Sequence, residues 1–197
     1  MQLFLIRHTT PQVSAGLCYG QSDIDVAASF NEELIAIAAK LDSLKFSGVE
    51  LHAISSSPLQ RCVKLAHALN VKLELGGIQE DHRLKELNFG DWELQAWDAI
   101  PRTEFDIWAD DYANLAPPNG ETFAELHERA KSFITEVSEY SPLHNIVVVT
   151  HGGMIRAMLA EVLQIPLKRL FRFQIDYGSV TQLAFDGAVP RIIKVNS

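Results

Sequence analysis

The sequence has few cysteines and no long apolar run. Of its 197 residues only Cys18 and Cys62 are cysteines, and their positions match neither a metal-binding pair nor a redox pair. We therefore expect reduced, structural thiols. No segment approaches the ~18 apolar residues of a membrane span, and the first residues lack the features of a signal peptide. These absences predict a cytoplasmic protein without a membrane anchor.

Positive charge is also scarce. Lysine and arginine number 17 against 25 aspartates and glutamates, for a formal net charge of −8. This balance argues against broad binding to nucleic acids or anionic membranes, which require a basic face. A small anionic substrate stays compatible with it, because one arginine at ~4 Å outweighs a diffuse charge of this size.

The chain shows no internal repeat and no low-complexity tract. Hydrophobic residues make up 47% of the sequence, which is enough for one core. The sequence therefore predicts a single domain over residues 1–197. Apolar runs predict strands at 2–7, 51–55, 71–75, 145–150, 180–185 and 192–195. Apolar residues at helical spacing predict helices at 30–44, 58–69, 122–140 and 153–163. Ser57 is the expected N-cap of the second helix, with Pro58 at its first position.

The alternation of strands and helices predicts the α/β class, as a three-layer α/β/α sandwich with a mostly parallel sheet. A short turn at Asp186-Gly187 separates the last two strands, which predicts a hairpin and one antiparallel edge strand. The segment 79–120 is rich in tryptophan and proline, and its helical signals are short. We expect it to form a long irregular excursion over the active edge of the sheet.

Two of the predicted strands end on a histidine. His8 follows Arg7 at the end of the first strand, and His151 follows the strand at 145–150 and precedes Gly152 and Gly153. Ligands of open α/β sheets bind outside the carboxyl ends of the strands. The sequence therefore predicts that both histidines face one pocket, where Gly152 allows a close approach of the backbone to the ligand.

Further residues complete a predicted phosphate site. Arg7 and Arg61 carry guanidinium forks that match phosphate oxygens, and Arg61 lies in the first turn of a predicted helix. Histidine can act as a nucleophile toward a phosphoryl group, and a carboxyl group such as that of Glu86 can protonate the leaving oxygen. Each residue alone also has an ordinary structural explanation. Four other histidines lack this context and are interpreted as structural or surface residues: His52, His67, His127 and His144. His82 is excepted, because it adjoins the motif that contains Glu86.

Together these residues resemble the histidine phosphatase superfamily, which includes the cofactor-dependent phosphoglycerate mutases. The resemblance spans nearly the whole chain and implies a phosphoglycerate mutase-like fold. It implies that His8 is phosphorylated during turnover and that Arg7, Arg61 and His151 form the phosphate pocket. Glu86, within Arg-Leu-Lys-Glu, matches the proton donor of the family.

Within the superfamily the chain is most similar to the α-ribazole phosphatases of cobalamin synthesis. This similarity lies in residues 16–23, 86–93, 97–101 and 117–121. The chain departs from the family pattern at three points. Thr9 replaces the glycine after the nucleophile, where its hydroxyl can donate to phosphate, and Leu94 replaces the glycine of Trp-Glu-Gly. The asparagine that often follows the nucleophile is missing, and Gln12 and Ser14 are the candidates to substitute for it.

The resemblance implies a metal-independent phosphomonoesterase without a cofactor, acting on a small phosphorylated metabolite, α-ribazole 5′-phosphate first of all. Trp92 and Trp97 are candidates to stack on a flat leaving group, although they can equally pack the segment 79–120 onto the sheet. The alternatives are a phosphatase of another sugar phosphate, a phosphoglycerate mutase-type phosphotransferase, a non-catalytic phosphate-binding module and a metal hydrolase. No His-x-x-x-His or aspartate-rich cluster supports the last. The sequence does not indicate an oligomeric state.

Overall fold

The structure, a computed structural model, describes residues 1–46, 48–140 and 144–197. Its strands are β1 (Gln2–Arg7), β2 (Ala53–Ser56), β3 (Ile78–Glu80), β4 (Ile146–Thr150), β5 (Val180–Ala184) and β6 (Arg191–Lys194). Its α-helices are α1 (Phe30–Phe46), α2 (Gln60–Leu73), α3 (Arg102–Asp110), α4 (Phe123–Tyr140) and α5 (Gly152–Leu163).

The six strands form one sheet in the order β3-β2-β4-β1-β5-β6. The first four of these are mutually parallel, whereas β5 runs antiparallel to both β1 and β6. The predicted fold class, with a mostly parallel sheet and antiparallel pairing at one edge, is confirmed. The antiparallel strand itself lies second from that edge, because β6 pairs outside it.

Both faces of the sheet are covered by helices. Alternate side chains of β1 point to opposite sides, so Leu3 and Leu5 join the core under α4 and α5, whereas Phe4 and Ile6 join the core under α1 and α2. Burial on both faces explains why β1 and β4 are continuous apolar runs rather than alternating ones. The three-layer sandwich follows from this double coverage.

One predicted strand is wrong. Residues 71–75 alternate like a strand, but α2 continues through them to Leu73 and ends where Glu74 adopts a left-handed conformation. The helical stripe of Leu65, Leu69 and Leu73 is buried, whereas Val71 is exposed, so the period of the helix overrides the short alternation. The real third strand, β3, has only three residues and no fully buried one, so it carries little pattern.

The beginning of α2 also differs from the prediction. The helix begins at Gln60 rather than at Pro58, and the residue before it, Leu59, makes no side-chain cap. The Ser57 hydroxyl lies 3.4 Å from the Leu59 amide but only 2.8 Å from the His151 ring. Ser57, the predicted N-cap, therefore lies closer to the His151 ring than to the helix that it was expected to cap.

The segment 79–120 contains the nine-residue helix α3 and two short 3₁₀ helices, at His82–Leu84 and Gly90–Trp92. Leu94, which replaces a glycine of the family pattern, has a φ of 65° while its amide donates to the Cys18 carbonyl. A left-handed backbone costs a non-glycine residue roughly 1–2 kcal/mol. This loop therefore keeps its conformation without the residue that favours it.

Candidate active site

Two histidines meet at the carboxyl ends of the parallel strands. In the pairing of β1 with β4, Arg7 lies opposite Thr150, so His8 and His151 leave the sheet at the same level. The His8 amide donates to the Thr150 carbonyl at 2.9 Å, and the two imidazole centroids are 5.1 Å apart. The strand register therefore brings together the two histidines that the sequence singles out.

The hydrogen bonds of His8 assign its tautomer. Its Nδ1 lies 2.7 Å from the Thr9 carbonyl oxygen, which can only accept, so Nδ1 carries the proton. Its Nε2 therefore holds the lone pair, toward which Arg61 Nε points from 3.3 Å. The ring is only 1% exposed.

His151 is held in the opposite tautomer. Arg61 Nη2 lies 3.2 Å from its Nδ1 and can only donate, so the proton of this ring is on Nε2. That nitrogen lies 2.8 Å from the Ser57 hydroxyl, and the Cys62 thiol is close by at 3.5 Å. Burial raises the pKa of Cys62 to about 12, which keeps the thiol protonated.

Arg61 is the centre of the cluster and is fully buried. Besides its contacts with His8 and His151, it donates to the carbonyls of Ser22 at 2.8 Å and Gly20 at 2.7 Å. One guanidinium therefore links the loop at residues 20–22 to both histidines.

Arg7, directly before His8, is connected to it through Tyr177. Its Nη1 donates to the Ile175 carbonyl at 2.6 Å, and its guanidinium carbon lies 3.8 Å from the centroid of the Tyr177 ring. Tyr177 also contacts His8, at 5.5 Å between centroids, and its hydroxyl is 2.5 Å from that of Tyr19. The Nε of Arg7 is buried and has no hydrogen-bond partner among the described residues, so it is a free donor next to His8.

The Glu86 carboxylate lies at the N-terminus of α5. Its Oε2 accepts from the Gly153 amide at 3.0 Å, and its Oε1 accepts from the Leu87 amide at 2.9 Å. A Cβ at position 153 would collide with Oε1, which explains the glycine there. The positive end of the helix dipole favours a carboxylate at this position.

Arg129 of α4 holds the backbone that carries Glu86. Its guanidinium donates to the carbonyls of Arg83, Lys85 and Glu86, and it is neutralised by Glu121 at 2.7 Å. The position of the carboxylate therefore depends on a residue 43 positions away in the chain.

Gly152 separates two guanidiniums. A Cβ on this residue would lie 3.1 Å from Arg156 Nη1 and 3.3 Å from Arg7 Nε. Arg156 donates its Nε to the Phe173 carbonyl at 3.0 Å and places its charge 5.3 Å from the centroid of Phe171. The predicted glycine is thus needed for close packing of cations around the pocket.

The departures from the family pattern that follow His8 differ in their burial. Thr9 is fully buried, and its hydroxyl has no partner among the described residues. Gln12 and Ser14 are exposed, so the structure does not bring either of them to the buried cluster.

An aromatic cavity of about 350 Å³ is connected to the histidine cluster through Gly20 and Arg156. One of its walls, Phe89, lies against Gly20, and another, Phe171, lies beneath Arg156. The residues that line it are Phe89, Trp97, Phe105, Trp108, Ala109, Tyr112 and Phe171. Trp97 is among them, whereas Trp92 is only 3% exposed and packs in a small core with Cys18 and Ile100.

A larger cleft of about 720 Å³ opens at the other end of the sheet, near the first residues of β2, β3 and β4. It contains neither the paired histidines nor the arginines around them. Among the described residues, no group of three or more His, Cys, Asp or Glu side chains is placed to hold a metal ion. None of the helices in the described parts of the chain combines the length and apolarity needed to span a bilayer.

Comparison with known proteins identifies the family. The model of the histidine phosphatase superfamily (branch 1) matches residues 3–197. The chain belongs to the histidine phosphatase superfamily. The predicted enzyme class, a phosphatase, is confirmed by this membership.

Individual histidine phosphatases are similar over most of their length. The adenosylcobalamin/alpha-ribazole phosphatase of Escherichia coli K12 is 29% identical over 182 residues, which cover 90% of this chain and 87% of that protein. Phosphoserine phosphatase 1 of Hydrogenobacter thermophilus is 26% identical, covering 100% and 92%. The crystal structure of the alpha-ribazole phosphatase from Shigella flexneri superposes with a TM-score of 0.88 at 26% identity, covering 100% and 96%.

The buried histidines of this histidine phosphatase are electrostatically unusual. Burial lowers the pKa of both His8 and His151 well below the ordinary value, and the charge of Arg61 lowers both further. Both rings are therefore neutral at neutral pH. A neutral His8 keeps Nε2 unprotonated, with its lone pair accepting from Arg61 Nε.

Sequence reasoning missed several residues of this site. Arg129 interrupts the apolar stripe of α4 between Leu126 and Ala130, and a charge in a buried stripe is a signal that could have found it. Arg156 lies one helical turn after Gly152, on the same side of α5. Tyr177 has no signal in the sequence, because its contacts come from the return of the chain to β1.

We expect the free energy of unfolding to fall as the pH drops below about 6.5, the ordinary pKa of histidine in an unfolded chain. The folded rings stay neutral there because their pKa is lowered, so the unfolded state binds more protons. Each histidine then contributes a slope of up to about 1.4 kcal/mol per pH unit. Urea denaturation over a pH series, without phosphate, measures the slope, and His8→Asn should reduce it. An unchanged slope in this variant would contradict a neutral His8.

Proposed function

We propose that the chain is a metal-independent phosphomonoesterase that acts through a phosphohistidine on His8. The observation that carries this proposal is the hydrogen bond from His8 Nδ1 to the Thr9 carbonyl, because it leaves the lone pair on Nε2. The lowered pKa of His8 supports it, since the ring need not lose a proton before attack. Arg61 Nε points at this nitrogen from 3.3 Å, and the charge of Arg7 also acts on the ring.

In the first step Nε2 of His8 attacks phosphorus in line with the bond to the leaving oxygen. The phosphorus–nitrogen bond forms as the phosphorus–oxygen bond breaks, and protonated Glu86 gives its proton to the leaving alkoxide. Arg7, Arg61 and His151 hold the equatorial oxygens and stabilise the developing charge. The unpartnered Nε of Arg7 supports this role, since it is a buried donor without an acceptor.

In the second step water attacks the phosphohistidine. Glu86, now a carboxylate, accepts a proton from the water, and the electron pair of the phosphorus–nitrogen bond returns to Nε2 of His8. Inorganic phosphate leaves, and the enzyme regains a neutral His8 and a protonated Glu86. The amides of Gly153 and Leu87 suit the second step, because they donate to the charged carboxylate that remains once the proton has left.

We propose α-ribazole 5′-phosphate as the substrate. The alpha-ribazole phosphatases of Escherichia coli and Shigella flexneri are among the proteins to which the chain is similar. The aromatic cavity beside the pocket supports the same substrate, because a flat, apolar base can stack on Trp97 and its neighbours while the phosphoryl group reaches His8. Trp92 is too deeply buried to share in this contact.

His8→Ala should fold normally and lose nearly all turnover, because the attacking atom is gone. Quenching wild-type enzyme during turnover in EDTA should trap a phosphoenzyme that is labile to acid and stable to base, as expected for a phosphoramidate. The measurement is phosphate release together with radiolabel retained on the protein. Substantial turnover by His8→Ala, or a strict requirement for added zinc or magnesium, would overturn the mechanism.

Glu86→Gln should slow hydrolysis of an alkyl ester more than that of p-nitrophenyl phosphate. A ribose 5′-alkoxide is strongly basic and needs a proton to leave, whereas p-nitrophenolate leaves unaided. The expected difference in kcat/KM is ~10²-fold, a typical contribution of general acid catalysis. Equal losses on the two esters would assign Glu86 a role in shaping the pocket instead.

Trp97→Ala should raise KM for α-ribazole 5′-phosphate by up to about tenfold, the upper range of one aromatic stacking contact. It should leave kcat/KM for glycerol phosphate almost unchanged, because that ester does not reach the cavity. Steady-state kinetics on both esters and a melting curve for each variant make the comparison. Equal impairment on both esters would remove the physical support for the α-ribazole substrate.

A further inference from the structure

Two loop segments each hold one arginine of the pocket. The first, residues 175–179, surrounds Arg7. The Ile175 carbonyl accepts from the guanidinium at 2.6 Å, the Gly178 amide donates to the Arg7 carbonyl at 3.0 Å, and the Ser179 carbonyl accepts from the Arg7 amide at 3.2 Å. The position of Arg7 therefore follows the position of this segment.

The second segment, residues 19–22, holds Arg61. The carbonyls of Gly20 and Ser22 accept from its two terminal nitrogens at 2.7 and 2.8 Å. Glu93 anchors the segment in turn, accepting from the Ser22 amide at 2.5 Å. The position of the Arg61 guanidinium therefore depends on this loop as well as on α2.

The hydroxyls of Tyr19 and Tyr177 join these segments. They lie 2.5 Å apart although the residues are 158 positions apart in the sequence. Among the described residues this is the one hydrogen bond between residues 19–22 and 175–179. Burial and the neighbouring Tyr177 hydroxyl raise the pKa of Tyr19, so the Tyr19 hydroxyl stays protonated at ordinary pH.

Each tyrosine also lies against the arginine of its own segment. The Tyr177 ring is 3.8 Å from the guanidinium carbon of Arg7, and the Tyr19 ring is 5.4 Å from that of Arg61. Each ring therefore contacts one of the two arginines, and the two hydroxyls join the rings. A displacement of either ring would shift the arginine on which it packs.

We propose that Tyr19 and Tyr177 are positioning residues whose shared hydrogen bond sets the separation of Arg7 and Arg61 for phosphoryl binding. The proposal rests on the proposed function in that these arginines hold the phosphoryl group. Neither hydroxyl takes part in bond making. The bond acts on the positions of Arg7 and Arg61, which bind the phosphoryl group. Its loss therefore affects every phosphoester equally, whatever the leaving group.

A double-mutant cycle tests this role. Tyr19→Phe, Tyr177→Phe and the double variant keep both rings, and thus both cation–π contacts, and remove only hydroxyls. Each single variant should weaken the binding of inorganic phosphate, measured by calorimetry, by about five- to tenfold, the size of one hydrogen bond. The double variant should be no weaker than either single one, because the same bond is lost in all three.

Kinetics and melting curves separate positioning from general destabilisation. We expect kcat/KM to fall by the same factor for p-nitrophenyl phosphate and glycerol phosphate, with melting temperatures close to that of the wild type. Unchanged phosphate affinity, additive effects in the double variant, or faster turnover in the Phe variants would each overturn the proposal. Weakened, non-additive phosphate binding in an enzyme without turnover would uphold the positioning role and refute the phosphatase mechanism.

Discussion

Arg61 brings a positive charge into the interior, and no carboxylate among the described residues forms an ion pair with it. Among the described residues its hydrogen bonds go to two carbonyls and to the lone pairs of two imidazoles, and the Tyr19 ring lies 5.4 Å from its guanidinium carbon. A buried charge without a carboxylate partner is expensive, by several kcal/mol, compared with the same charge in water. Under the proposed function a phosphate dianion would supply the missing counter-charge, which would link phosphate binding to stability at this residue.

The same guanidinium decides the chemical state of both histidines. It can only donate, so each imidazole must present a lone pair to it, and the opposite nitrogen of each ring then carries the proton. This forces opposite tautomers on His8 and His151, although both rings lie in the same buried environment. The tautomer of His8 is further fixed by the Thr9 carbonyl, so two contacts place its lone pair on Nε2.

The sequence predicts the parts of the fold that are local. His8 and His151 could be paired because each ends an apolar strand, and parallel strands bring such ends together at one edge of the sheet. The error at residues 71–75 arose because a short alternating run fits both a strand and the end of a helix. Tyr177 and Arg156 could not be assigned, since their partners belong to segments that only tertiary packing brings near. Trp92 and Trp97 look alike in sequence, and only their burial separates a core residue from one that lines a cavity.

The register of β1 against β4 restricts insertions and deletions in these two strands. His8 and His151 both stand one residue beyond the paired positions Arg7 and Thr150, and successive residues of a strand face opposite sides of the sheet. Deleting or inserting one residue in either strand would turn one imidazole toward the wrong helical layer, even if the core still packed. The length of each strand is therefore restricted to within a single residue if the two imidazoles are to stay together. In the segment 79–120, by contrast, the position of Glu86 depends on hydrogen bonds from Gly153 and Arg129 rather than on strand register.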